Sequence, residues 1–266
     1  MDHPLADIEF LARSNNRVVI LDTLATRPCT RDELREATGA SRVTLGRILG
    51  DFTARGWIRQ EDGEFRATAI GRLVATQFNR LIATMETADN LHDIIQWLPA
   101  DDFDFQLTCF NDATIVRPTQ SDPLAPVRRA AAYLRQADYV EVLTHSVAAE
   151  NLEADWQAVV NGTQRFDGVL TTAVIETIRA DPVLATQMAE MVETGNATVH
   201  RYEDDVPYVV MLADELTLLG ITDDQRMPRA LIVTDDEQVR MWATEIIDAY
   251  RQTASAVTPE LFTIGG

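Results

Sequence analysis

Hydrophobic positions between Thr30 and Phe52 fall at helical spacing, with polar residues where helices start and stop. Thr30, Arg31, Asp32 and Glu33 form a capping box: the threonine hydroxyl accepts from the N3 amide and Glu33 reaches back to the cap. The helix they open carries Leu34 and Ala37 and stops at Gly39, a natural left-handed residue after a helix. Ser41 caps the next helix, whose Leu45, Ile48, Leu49 and Phe52 lie at i, i+3, i+4 and i+7 and predict one buried stripe. Two short helices around a glycine turn predict a helix-turn-helix. An earlier helix, 16–25, supplies Val18, Val19, Leu21 and Leu24 as a third wall.

After Gly56 the period changes from helical to alternating. Residues 57–60 and 64–67 read as short strands, and Glu61-Asp62-Gly63 between them reads as a hairpin turn, which predicts a wing. Thr68 then caps a long stripe through Ile70, Leu73, Val74, Phe78, Leu81, Ile82 and Met85, continued by Leu91, Ile94, Ile95 and Leu98. A single helix over 69–98 would be roughly 45 Å long. It carries more apolar surface than a small unit buries, which predicts a homodimer; a kink is expected near Ala88-Asp89.

Pro99-Ala100-Asp101-Asp102 is the best polar break. Beyond it helices are expected at 125–136, 150–160, 173–180 and 183–194. Strands are expected at 139–144, 166–171, 197–202, 208–213, 215–221 and 230–234. A last helix over 236–253 would bury Val239, Trp242, Ile246 and Tyr250. Strand–helix alternation ending in a meander predicts a mixed sheet with helices on its faces. The fold class is therefore α+β: a winged helix-turn-helix over 1–98 with its long connecting helix, and an α/β mixed-sheet unit over 103–266.

Composition sharpens this picture. The 266 residues are 46% hydrophobic, enough for two cores. The 42 acidic residues face 23 basic ones, giving a net charge of −19, and every basic residue is arginine. An acidic, lysine-free chain suits a salt-filled halophilic interior, where screening over about 3 Å makes self-repulsion cheap. Residues 1–80 hold 12 arginines and 11 acids, a net of +1; residues 81–266 hold 11 and 31, a net of −20. That asymmetry points to nucleic-acid contact through the first part. The total charge argues against an anionic membrane surface. With no apolar run of 18 residues and no signal-peptide pattern, a cytoplasmic location is expected. Cys29 and Cys109 give no disulfide framework and read as small core residues.

Residues 10–25, 30–58 and the wing resemble the winged-helix transcriptional regulators of archaea. The segments 111–119, 122–131 and 206–214 resemble haloarchaeal members whose second domain is of the methanogenesis-regulator FilR type. The resemblance implies a regulator that binds double-stranded promoter DNA. On the recognition helix Arg42, Val43, Gly46 and Arg47 lie off the buried stripe; arginine forks suit guanine in the major groove, and Gly46 permits close approach. Thr30, Ser41 and Thr44 offer hydroxyls to phosphate, Arg31 stands beside them, and Arg59 and Arg66 flank the wing.

Catalytic motifs are scarce. Without lysine there is no phosphate loop and no HxK pair of the phospholipase-D kind, and no Gly-x-Ser-x-Gly elbow occurs. His3, His92, His145 and His200 are scattered, so neither a metal nor a cofactor is expected. Acidic pairs such as Asp204-Asp205 and Asp223-Asp224 read as solvated surface. One constellation remains. Thr144, His145 and Ser146 end one strand and Thr171 and Thr172 the next, where open α/β sheets bind ligands. Arg117, Arg128 and Arg201 are candidates to hold a small anionic metabolite there. Two other readings stand beside the regulator: an α/β enzyme of small-molecule or phosphodiester chemistry fused to a winged helix, and a protein-interaction adaptor that binds no DNA.

Overall fold

The computed structural model describes residues 4–262, so His3 lies outside the described residues. Its first helix, α1 (Pro4–Ala12), is not signalled by a strong sequence stripe. It buries Leu11 and sets the Phe10 ring edge-on to Phe52 and Trp57, at 5.9 and 6.1 Å between centroids. The guanidinium groups of Arg17 and Arg55 each lie 3.9 Å from the Phe10 ring centroid, and Arg55 is bonded to Asp7 at 2.9 Å. Next come α2 (Asn15–Thr26), α3 (Arg31–Thr38) and α4 (Arg42–Ala54).

Local rules explain these boundaries. The capping box at Thr30 and Glu33 is formed in both directions. The Thr30 amide first, then its hydroxyl and Arg27, hold the Glu33 carboxyl down to about 2. Gly39 ends α3 at φ +64°, a conformation that favours glycine, and Ser41 caps α4 through the Thr44 amide. Leu45, Ile48, Leu49 and Phe52 are all buried, as their spacing predicts. The wing is β1 (Ile58–Glu61) paired antiparallel with β2 (Glu64–Ala67). Asp62 and Gly63 turn it at φ +50° and +87°, positive at both centres as a tight hairpin demands. Cys29, buried and free, exchanges backbone hydrogen bonds with Phe65 at 2.8 and 2.9 Å and ties α2–α3 to the wing.

α5 (Ala69–Leu91) follows, capped by the Thr68 hydroxyl on the Gly71 amide at 3.1 Å. It runs unbroken through Ala88-Asp89 and ends at Leu91, short of the expected residue 98. Leu91, Ile94 and Leu98 keep helical spacing, yet they are core residues of the α/β unit and the chain through them turns. The chain divides into two compact units between Glu86 and Thr87, not at the polar break after residue 98. That break is anchored: Asp102 accepts from the Tyr208 hydroxyl at 2.8 Å, and its carbonyl accepts from Trp242 Nε1 at 3.1 Å.

The second unit carries β3 (Thr114–Val116), α6 (Ala125–Leu134), β4 (Tyr139–Thr144), α7 (Ala149–Val160) and β5 (Arg165–Thr171). Then come α8 (Thr172–Ala180), α9 (Pro182–Glu193), β6 (Ala197–Tyr202), β7 (Val209–Ala213) and β8 (Leu216–Thr222). It closes with β9 (Pro228–Thr234), α10 (Glu237–Thr253) and β10 (Ser255–Ala256). These strands form one mixed sheet in the order β10-β6-β5-β4-β7-β8-β9-β3, with β4, β5 and β6 parallel and the other pairings antiparallel. Of these strands, the short edge strands β3 and β10 are the two that the sequence pattern does not announce. Side chains alternate between faces: Val140 and Val142 pack under α6–α9, while Leu143 and Val169 pack under α10 and the 91–110 segment. Arg251 of α10 clamps that second face through Glu141 at 2.7 Å and Asp167 at 3.3 Å. No described helix is long and apolar enough to cross a membrane.

Candidate functional site

In the first unit the buried stripe of α4 fixes what its other side presents. Arg42, Val43 and Arg47 are exposed, with Val43 83% accessible, and Gly46 lies between them. A β-carbon on Gly46 would meet only Arg31 Nη1, at 3.9 Å, so the helix surface is open there. Among the described residues neither Arg42 nor Arg47 forms an ion pair with a carboxylate. Arg31 lies over the Phe65 ring at 5.4 Å and so links the start of α3 to the wing. The hydroxyls are partly committed. Thr30 Oγ1 bonds Glu33 at 2.8 Å, and Ser41 Oγ and Thr44 Oγ1 bond each other at 3.0 Å. The wing arginines are also held: Glu61 pairs with Arg59 at 3.0 Å and with Arg66 at 3.4 Å. That restraint by one carboxylate is not visible in the sequence pattern.

In the second unit a cavity of about 340 Å³ lies between the sheet and α6–α9, at the carboxyl end of β4. Its body is apolar, with Val142, Phe166 and Met211 from the sheet and Ala130, Leu152 and Met188 from the helices. Of the strand-end residues expected to bind a ligand, Thr144 and Ser146 line it. His145 does not. It is buried beside the cavity, with Nδ1 2.9 Å from the Val206 carbonyl and Nε2 3.2 Å from Thr222 Oγ1. Burial first, then the nearby Arg226, push the His145 imidazole below its ordinary value, toward the neutral form. Thr171 caps α8 through the Val174 amide, and Thr172 donates to the Tyr202 carbonyl.

The three arginines expected to hold an anion do not converge. Arg201 is on β6 and Arg117 just past β3, six strand steps apart in the sheet and so about 29 Å from each other. Arg128 pairs with Asp122, Arg201 with Glu203 at 2.7 Å, and Arg117 donates to the Asn90 carbonyl. The cavity's own arginine is Arg226, whose guanidinium donates to the His145 carbonyl at 2.6 Å and Asp205 at 2.7 Å.

Sequence reasoning missed Arg226 and, deeper in the cavity, Asp155. Asp155 is 4% exposed, lines the cavity, and its Oδ1 has no hydrogen-bond partner. Burial alone raises its carboxyl well above the ordinary aspartate value. A signal was there: Leu152, Asp155 and Val159 lie at i, i+3 and i+7, so an acid occupies a stripe position of α7. Among the described residues no three His, Cys, Asp or Glu side chains gather as a metal site.

Two family models match the chain. Residues 5–90 match the HVO_A0261 N-terminal domain, and residues 123–253 match the middle domain of methanogenesis regulatory protein FilR1. This is the pairing the sequence resembles, and the chain carries transcription-regulator-type domains. Comparison with curated proteins gives no match. Among solved structures, TrmBL2, an archaeal chromatin protein, is 14% identical over 96% of this chain and 100% of its own, with a TM-score of 0.44. Nuc, a phospholipase D family member from Salmonella typhimurium, is 11% identical over 55% of this chain and 99% of its own, with a TM-score of 0.43. NucT from Helicobacter pylori is 11% identical over 55% and 98%, with a TM-score of 0.38. These likenesses are distant.

Proposed function

We propose that this chain, which pairs an HVO_A0261-type N-terminal domain with a FilR1-type middle domain, is a sequence-specific transcriptional regulator. It binds promoter DNA as a homodimer, and its α/β unit responds to a small molecule. One observation carries the DNA reading: α4 presents Arg42, Val43 and Arg47 on a single exposed face beside an arginine-bearing wing. A helix of this kind fits the major groove, where arginine donates to guanine O6 and N7 and an apolar side chain contacts the thymine methyl. The α4 N-terminus, with Ser41 and Thr44, suits a phosphate, and Arg31, Arg59 and Arg66 reach the flanking backbone.

The dimer rests on α5. Ile70, Leu73, Leu81 and Met85 are exposed on it, more apolar surface than a solvated helix carries. The effector reading rests on the cavity of the second unit, not on Arg117, Arg128 and Arg201, which are engaged elsewhere. An effector acts only by its differential affinity for the DNA-competent and incompetent states, typically 1–3 kcal/mol of coupling.

Mapping genomic fragments retained by the protein tests the DNA reading. Wild type is expected to enrich a shared sequence, and Arg42→Ala with Arg47→Ala to lose about 1–3 kcal/mol of affinity per base contact. No sequence enriched by wild type would overturn it and leave the adaptor reading.

A further inference from the structure

The cavity at the carboxyl end of β4 differs from an ordinary packing void. Its volume of about 340 Å³ is at the lower end of the roughly 300–1,000 Å³ of small-molecule sites. Its polarity is graded along one helix: on α7, Glu150 is exposed, Asn151 half-buried and Asp155 buried, and all three line the cavity. Oδ1 of Asn151 and Oδ1 of Asp155 are buried acceptors with no partner, one helical turn apart. Buried polar atoms are paired in nearly all native structures, so two orphans on residues that line one apolar cavity mark where a ligand's donors go.

The sign of the site follows from what is missing and what is present. Its titratable lining residues are Glu150, Asp155 and Arg226. The Arg226 guanidinium is already bonded to the His145 carbonyl and Asp205, and His145 faces away onto Val206 and Thr222. The cavity therefore offers a carboxylate or phosphate only the neutral donors of residues such as Ser146 and Asn151, since its one arginine is already committed to the His145 carbonyl and Asp205. Acceptors stand from mouth to interior, in a unit whose sequence is strongly acidic.

We propose that this cavity binds a hydrophobic amine, its ammonium group paired with the Asp155 carboxylate and Asn151 Oδ1 and its hydrocarbon part against Val142, Phe166 and Met211. Burial favours the protonated form of unliganded Asp155. When an ammonium ion binds, Asp155 ionises and the proton it carried passes to solvent, so up to one proton is released per amine bound. The contact is charge-assisted in a largely apolar site, where such bonds gain strength. The proposal deepens the reading of the α/β unit as the responsive half, but it concerns binding without DNA, so each can fail alone.

Calorimetry on the full chain without DNA, in molar potassium chloride at pH 7.5, tests it. The probes are n-hexylamine and 2-phenylethylamine, with n-hexanol and hexanoate as matched controls. Titration in two buffers of different ionisation enthalpy reads proton release. The expected result is saturable binding of an amine, a measurable proton release of up to one per amine, and weaker binding of both controls. Asp155→Asn should weaken the amine about tenfold or more and abolish the release. Ala130→Leu, which fills the cavity from α6, should weaken it without touching the acid. Binding of neither amine, equal binding by Asp155→Asn, or tighter binding of hexanol or hexanoate would overturn the proposal.

Discussion

A β-carbon on Gly71 would stand 1.9 Å from the carbonyl oxygen of Trp57, so the first turn of α5 lies directly against the residue that leads into β1. The Thr68 hydroxyl supports the same junction, bonding the Gly56 carbonyl at 2.7 Å. Glycine is needed here for close approach.

Gly71→Ala separates packing from propensity. Alanine is favoured over glycine inside a helix by about 1 kcal/mol. The clash is with backbone, which cannot rotate away, so a net loss of about 1–3 kcal/mol is expected. Thermal unfolding followed by far-ultraviolet circular dichroism should show a lower Tm for the transition of the first unit. An unchanged or raised Tm would mean that the junction is looser than the structure has it.

What the sequence disclosed follows interaction range. The Thr30–Glu33 box and the Leu45–Phe52 stripe are made between residues three or four apart, and both were legible. α1 is held through Phe10 against Phe52 and Trp57, some forty residues on, and nothing local announces it. Leu91, Ile94 and Leu98 misled because spacing reports a buried face, not a helix end. In the second unit the strand-end rule singled out Thr144 and Ser146, and both line the cavity. The anion reading failed to converge because sheet order, which sets Arg117 and Arg201 at distant strands, is a non-local property. Asp155 was hidden among 42 acids, since composition makes any one of them look solvated.

The wing supplies a second prediction. Glu61 holds both Arg59 and Arg66, and an exposed pair of this kind is worth about 0.2–1 kcal/mol. Glu61→Gln removes those restraints and one negative charge near the phosphates. DNA affinity should rise by up to about fivefold per released arginine. The salt dependence should also steepen, because freed arginines displace condensed cations from DNA. Binding isotherms at several potassium chloride concentrations measure both. Weaker binding by the variant would place the wing away from the DNA.

Association through α5 is checked at its exposed stripe. Met85 is 60% and Leu81 38% exposed, so an aspartate at either position is readily solvated in a monomer. Leu81→Asp and Met85→Asp should leave the helical signal intact and shift the mass seen by light scattering from dimer to monomer. A central apolar contact of this size is worth about 1.5–3 kcal/mol, so dimer dissociation should be about tenfold easier or more. A monomeric wild type, or a dimer indifferent to both changes, would send the stripe to another role.

The buried acid gives the last prediction, and its sign is fixed by linkage. Asp155 titrates well above the ordinary aspartate value in the folded chain, because burial disfavours its charge and no described partner restores it. In the unfolded chain it titrates near 3.9. Below that pH both states hold the proton, and the group takes nothing from stability. As pH rises past it, the unfolded chain releases the proton while the folded chain keeps it. Stability then falls by about 1.4 kcal/mol per pH unit until the folded carboxyl also ionises. Asp155→Asn has the same shape and no titration. The variant should therefore match wild type near pH 3.5 and become progressively more stable than it toward neutral pH. Acids common to both proteins cancel in the difference. Trp97, Trp156 and Trp242 all lie in the second unit, so tryptophan fluorescence during denaturant unfolding reports the relevant transition. A stability difference that does not change with pH would show that Asp155 is ionised in the folded state, and a wild type more stable than the variant at neutral pH would show that its charge is already paired.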